Sequence, residues 1–214
     1  MNKETPERGW RGTPELWLDA AYGLLVDGGV EAVKVMPLAE KLGLSRTSFY
    51  WHFPDREALL AGLVDRWQAK NTGNLVARCE AEAATVSEAM LNLFDCWVDL
   101  TLFDSRLEFA MRTWSLTDPA VAVAMTRADE TRIAAITAVF CRFGYGATEA
   151  DARARTLYLT QVGYITLRSN ENFDTRMERI PAYVLTFSGV APSVAEVAAY
   201  RKRHTVRSAA GAAP

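Results

Sequence analysis

Apolar residues recur at helical spacing along almost the whole chain, and no segment alternates in the manner of a strand. Thr13-Pro14-Glu15 marks a helix start: a capping hydroxyl, a proline at the first position and an acid near the positive end. Leu16, Ala20 and Leu24, with Trp17, Ala21 and Leu25, give that helix an inward stripe, and Gly28-Gly29 ends it. Residues 37–53 read as two short helices joined by a tight turn. Asp55 caps a longer helix carrying Leu59, Leu60, Leu63, Val64 and Trp67, which runs to about Thr72 with continuation past Gly73 left open. Further helices are predicted over about 86–103 and 105–116, the second with Leu107, Ala110, Met111 and Trp114 on one face. Asp118-Pro119 opens the next, which stops near Gly144. Thr148-Glu149-Ala150-Asp151 resembles a capping box that opens a helix to about Ser169. A polar stretch from Ser169 to Arg176 breaks the pattern, and Pro181 starts a short helix ending at Gly189. Ser193 and Glu196 form a second capping box before a tail helix to about His204.

The fold class is therefore all-α, with an N-terminal helix-turn-helix head and a C-terminal helical body. The predicted divisions are a head over 1–53 with a flexible arm at 1–12, a body over 54–205, and a disordered tail over 206–214.

The motif at 37–53 is the most informative stretch. Leu38, Ala39 and Leu42 give its first helix an apolar face, and small Ala39 lets a second helix cross close by. Gly43 follows where the turn needs positive φ, and Ser45 caps the next helix. In that second helix Phe49 and Phe53 look inward, while Arg46, Thr47, Ser48, Tyr50, Trp51 and His52 are left facing out. So many donors and aromatics on one short helix are poorly explained by packing, and well explained by a helix lying in the major groove of DNA. Arg46, Thr47, Ser48 and Trp51 are the base-edge candidates, since arginine bonds guanine twice and threonine or tryptophan packs on a thymine methyl. Thr47, Tyr50, His52, Lys34 and Arg56 are the phosphate candidates. So short a reader implies a dimer on a palindromic site.

Composition narrows the picture. Of the 214 residues half are hydrophobic, enough for a substantial core, and the net charge is −2. Residues 1–60 hold seven Lys/Arg and nine Asp/Glu, so affinity for DNA must come from the arrangement of charge and not from its total. Cys79, Cys96 and Cys141 are odd in number and lack metal-ligand spacing, which suits apolar fillers in a reducing cytoplasm. The N-terminus lacks the apolar core of a signal peptide, and no run of about 18 apolar residues would span a membrane. His52 and His204 are the only histidines, so neither a metal site nor a cofactor is expected. His-Glu-x-x-His, Gly-x-Ser-x-Gly and glycine-rich phosphate loops are absent, which argues against an enzyme.

In the body, Phe94, Trp97, Met111, Trp114 and Tyr158, with Met90, Phe103, Phe109 and Tyr164, either line an apolar ligand pocket or form ordinary core. Arg112 either orients a polar or anionic effector or pairs with Asp118 or Asp129.

The run Leu38 to Phe53, followed by Asp55-Arg56-Glu57-Ala58-Leu59-Leu60, resembles the TetR family of bacterial transcriptional regulators. Leu18-Asp19-Ala20-Ala21 and Gly28-Gly29 fit the family's first helix, so the match covers about residues 13–62. The resemblance implies an all-helical homodimer with a three-helix DNA-binding head. It implies a body that binds a small effector and dimerises through its last two long helices, by position about 148–169 and 180–189 here. The chain departs from the pattern at Lys34, where a Ser or Thr usually caps, at Met36, where an arginine commonly touches phosphate, and at Trp51, more often Tyr or His. The expected function is a ligand-responsive repressor. The alternatives are an architectural DNA-binding dimer without effector and an all-helical enzyme.

Overall fold

The computed structural model describes residues 11–169 and 171–210, and all regular structure among them is helical. The calls on the arm at 1–10 and on the tail at 211–214 lie outside the described residues. Helix α1 (Pro14–Gly28) starts where Thr13 Oγ1 accepts from Leu16 N at 3.2 Å. A 3₁₀ turn (Val30–Ala32) leads into α2 (Val35–Leu42). Gly43 follows at φ 65°, and the turn closes with Leu44 N donating to Ala39 O at 2.9 Å. Ser45 Oγ then accepts from Ser48 N at 3.1 Å and starts α3 (Arg46–Phe49). Trp17, Leu25, Val33, Leu38, Phe49 and Phe53 close the head's core against Leu59 and Leu63 of α4 (Arg56–Trp67). Lys34 provides no side-chain cap to α2. The entrance to that helix is held instead by Arg56, whose Nε donates to Val33 O at 2.6 Å and Nη2 to Val30 O at 2.8 Å.

From α4 the chain continues without a break through a π-helical turn (Gln68–Gly73) into α5 (Asn74–Glu80). The body is completed by α6 (Val86–Val98), α7 (Ser105–Ser115), α8 (Pro119–Arg142), α9 (Ala147–Thr166), α10 (Phe173–Ser188) and α11 (Val194–Ala210). The capping box expected at Thr148 does not form. Gly146 occupies the cap position, and Glu149, inside the helix, pairs with Arg153 at 2.8 Å. The box at Ser193 does form: Glu196 N donates to Ser193 Oγ at 3.2 Å and Ser193 N to Glu196 Oε2 at 2.6 Å. Helix α11 runs to Ala210, past the expected end at His204 and into the stretch read as disordered tail.

The clearest departure is α10. It begins at Phe173, with Asn172 Oδ1 accepting from Thr175 N at 2.8 Å, so Pro181 lies inside the helix and does not start it. A proline there deprives the carbonyl four residues back of its donor. That carbonyl, Met177 O, accepts from Arg201 Nη2 of α11 at 3.5 Å. The second helix expected at a dimer interface is thus 173–188 and not 180–189.

Two apolar clusters form. One holds the head together with Leu107, Ala110, Met111 and Trp114 of α7 and Val121, Met125 and Ala128 of α8. The other joins α5, α6 and the second half of α8 to α9, α10 and Tyr200 of α11. Cys79 and Cys96 are fillers of this second core, with thiols pushed up to about 12 by burial, whereas Cys141 is exposed.

A buried polar network lies where the two clusters meet. Arg132 Nη1 and Nη2 donate to Glu108 Oε1 and Oε2 at 2.7 and 3.2 Å, and both residues are fully buried. Trp67 Nε1 and Asn71 Nδ2 donate to Glu108 Oε2 at 2.7 and 2.9 Å. Arg132 Nε also donates to Thr72 Oγ1 at 3.0 Å. Burial alone would raise the Glu108 carboxyl, but Arg132, Arg112 and Asn71 outweigh it and hold it below its ordinary 4.5. Tyr22 Oη donates to Asp104 Oδ2 at 2.7 Å, which fastens α1 to the start of α7, and burial and that carboxylate push its phenol up to about 12.

Three predictions come from this packing. Arg132→Met leaves Glu108 buried without its main partner and is expected to cost about 3–5 kcal/mol in urea unfolding at neutral pH. Because the Glu108 carboxyl is depressed, its contribution is complete above the ordinary value of 4.5 and is lost as pH falls through the lower folded value. Glu108→Gln is therefore expected to flatten the acid limb of the stability profile. Arg56→Met uncovers two carbonyls and is expected to cost about 1–3 kcal/mol, with no change in the salt dependence of any ligand binding.

Candidate nucleic-acid interface and body cavity

The α2–turn–α3 unit presents a distinct outer face. Phe49 is fully buried, edge-on to Trp17 with ring centroids 5.4 Å apart, and stacks on Phe53 at 5.6 Å. That anchoring turns Arg46, Thr47, Tyr50 and Trp51 outward, with Tyr50 45% and Trp51 62% exposed. Arg46 Nη2 donates to Tyr50 Oη at 3.0 Å, one helical turn along. Lys34 is exposed at the start of α2. Arg11 reaches this face from the N-terminal side, its guanidinium 3.6 Å above the Trp51 ring. Its carbonyl accepts from Trp17 Nε1 at 3.3 Å and meets His52 Nε2 at the same distance. The part of the arm nearest α1 is thereby fixed to the end of the motif.

Two residues expected on this face have other roles. Ser48 is buried, its hydroxyl 2.9 Å from Ser45 Oγ, because it lies on the side of α3 turned toward its own cap. Arg56, expected at phosphate, has its guanidinium taken up by Val30 O and Val33 O and by Glu57 at 3.8 Å.

The body contains a cavity of about 740 Å³. Its walls come from the end of α1 and the glycine after it (Leu25, Val26, Asp27, Gly29), the end of α6 and the residues after it (Cys96, Trp97, Leu100), one face of α7 (Arg106, Phe109, Thr113), the end of α9 and the residues after it (Gln161, Tyr164, Ile165, Arg168, Ser169) and Arg176 of α10. An adjoining apolar recess of about 60 Å³ shares Trp97, Gln161, Tyr164 and Arg176 and adds Phe94, Ile180, Tyr183 and Phe187. Tyr164 and Tyr183 hydrogen-bond each other through their hydroxyls across its wall. Phe94 lies at the wall of the recess, and Trp97 at the walls of both recess and cavity.

Four other expected pocket residues do not. Met111 is fully buried in the head-side cluster. Trp114 joins the same cluster and donates from Nε1 to Asp118 Oδ2 at 3.2 Å. Arg112 takes the structural alternative: Nη1 and Nη2 donate to Asp129 Oδ2 and Oδ1 at 3.1 and 2.6 Å, and Nη2 also meets Glu108 at 2.9 Å. Tyr158 Oη donates to Asp129 Oδ1 at 2.6 Å and accepts from Arg112 and Arg132, with burial raising its phenol above 10.0. The helical period placed these residues inward correctly, but it does not distinguish a ligand wall from core.

Arg168 and Arg176 of the cavity wall were not anticipated. Arg168 precedes and Arg176 closes the polar stretch read as a break, and nothing in the sequence shows that the two sides of that break meet at one cavity. Among the described residues no group of three His, Cys, Asp or Glu is placed to hold a metal, and no helix is long and apolar enough to cross a membrane.

Residues 18–63 match the model of the family described as bacterial regulatory proteins, tetR family. The class A tetracycline repressor protein from transposon 1721 of Escherichia coli is 36% identical over 67 residues, which is 31% of each chain. The segment aligned with this curated relative therefore spans about a third of its length. Solved structures agree over far more of the chain. A protein assigned to the TetR family of transcriptional regulators, from Mesorhizobium loti, superposes with a TM-score of 0.60 at 18% identity, covering 84% of this chain and 96% of its own. GusR of Salmonella enterica gives 0.57 at 19%, covering 95% and 97%, and a transcriptional regulator from Rhodococcus gives 0.56 at 20%, covering 89% and 97%. At such identities these show the shared fold alone. Residues 18–63 thus resemble the tetR family of bacterial regulatory proteins by sequence, and the chain as a whole shares the fold of these solved regulators.

Proposed function

We propose that the protein is a cytoplasmic, ligand-responsive transcriptional repressor that binds palindromic operator DNA as a homodimer and is released from it by a small effector. The exposed face of α3 carries this reading: a helix anchored by Phe49 and Phe53 turns Arg46, Thr47, Tyr50 and Trp51 outward. Arg46 reads guanine, Thr47 and Trp51 pack on thymine methyl groups, and Lys34, Tyr50 and His52 meet phosphates. Ser45 acts as the cap that aims the helix.

The second copy is placed against α9 and α10. Ala152, Thr156, Leu159 and Gly163 share one face of α9, and Ala182 and Leu185 share one of α10. Leu159 and Leu185 are exposed large apolar residues on these helices. Small residues beside them let helices of two copies approach closely, as a two-fold interface requires.

The open cavity favours the ligand-responsive reading over an architectural dimer, since about 740 Å³ lies within the range of small-molecule sites. The end of α1 forms part of its wall, so an effector there touches the head directly. Release follows if the effector prefers a head arrangement that does not fit the operator.

Selection of bound duplexes from a random pool, followed by gel shift, tests the DNA reading. Arg46→Ala is expected to relax preference at one base pair by about 1–3 kcal/mol. Lys34→Ala is expected to weaken all sequences alike and to lower the salt slope by about one. Wild-type behaviour of both variants would remove α3 as the reader. For assembly, sedimentation of the wild type is expected to give a dimer, and Leu159→Asp with Leu185→Asp a monomer.

A further inference from the structure

We propose that the ligand of the body cavity is an amphipathic anion, with a carboxylate-type head held by Arg168 and Arg176 and an apolar body lying against Trp97, Phe103, Phe109 and Ile165. The inference deepens the effector reading and rests on it.

Charge points first to this class. The lining of the larger cavity contains three arginines, Arg106, Arg168 and Arg176, and one acid, Asp27. Asp27 is already paired with Arg106 at 2.8 Å. The remaining two arginines have no carboxylate partner among the described residues. Arg176 Nη1 donates to Trp97 O at 2.8 Å, which fixes the side chain at the wall while leaving its other N–H groups available. Arg168 has its guanidinium 5.5 Å from the centre of the Phe109 ring, an aromatic face that steers a cation without neutralising it. Glu171, on the smaller recess, is bonded to Arg179.

The backbone supplies an independent observation. Arg168 stands one residue beyond the cap of α9 at φ 51°, and among the described residues it alone is a non-glycine at positive φ. Helices commonly place glycine there, because a side chain makes that conformation costly. An arginine in the glycine position, with its side chain at a cavity wall, is strain kept for a binding purpose. A third observation is Trp97. It lines both the cavity and the recess, and its buried indole N–H has no acceptor. A ligand oxygen between Trp97 and the two arginines would supply one. The surrounding aromatic and aliphatic walls then require an apolar body, so a small inorganic anion fits poorly.

Isothermal titration tests the class with 4-phenylbutyrate and decanoate against the uncharged 4-phenylbutanol and decanol. At least one carboxylate is expected to bind about tenfold or more tightly than its alcohol, with a preference that shrinks as salt is added. Arg168→Gly replaces the strained residue by the one that adopts this backbone freely, so its melting temperature is expected to hold or rise. In Arg168→Gly combined with Arg176→Gln the carboxylate preference is expected to fall to about twofold or less, while alcohol binding is unchanged. If the alcohols bind as tightly as the carboxylates, the anionic class is overturned and the cavity stands as a neutral ligand's site. A double variant that keeps the full preference overturns the assignment to these arginines. Should none of the four compounds bind up to millimolar concentration, the reading of the cavity as a ligand site falls, and the proposal with it.

Discussion

The ion pair between Arg132 and Glu108 is the constraint on which the rest of the molecule depends. Both side chains are removed from water, and a charge in that position is tolerated only when every partner is in place. The partners come from four elements: Trp67 at the end of α4, Asn71 and Thr72 of the π-helical turn, Arg112 of α7 and Tyr158 of α9. Asp129 balances the second arginine, so two acids face two bases. Displacing any one helix leaves a buried charge or donor unmatched. The network thereby ties the end of α4 and the turn after it to α7, α8 and α9.

In the proposed reading, the DNA-facing unit works by arrangement in a protein of net charge −2. Apolar anchors beneath α3 turn a small set of side chains outward, and Arg11 stacked on Trp51 brings a cation to the same edge. At the opposite end of α1, Tyr22 and Asp27 are tied to Asp104 and Arg106 of α7. One helix thus packs behind the proposed reading face and borders the cavity. In the proposed reading, an effector acts through a rigid rod and no long chain of side chains is required.

The head was legible because its signals are local. A glycine at positive φ, a serine cap and two phenylalanines four residues apart determine the motif over a short stretch, and the structure reproduces all three. The failures share a cause. Arg56 looked like a phosphate ligand because nothing nearby in sequence discloses the carbonyls of Val30 and Val33, which arrive from across a turn. Pro181 looked like a helix start because the carbonyl it leaves unbonded finds its donor on α11. Trp114 and Tyr158 fell on the correct inward faces, but whether such a face meets core or cavity depends on the angle at which distant helices cross.

The π-helical turn at 68–73 changes the phase of the long rod that runs from α4 into α5. An α-helix advances about 100° per residue, so a wide turn that accommodates one extra residue rotates everything beyond it by about that angle. Residues before and after the turn consequently obey two different azimuthal phases along what is otherwise one continuous rod. Trp67 and Asn71, four residues apart at the start of the turn, share one face and meet a single carboxylate. Adding or removing one residue in this seamless connection would turn the inward face of α5, with Leu75 and Cys79, about 100° away from the core it fills.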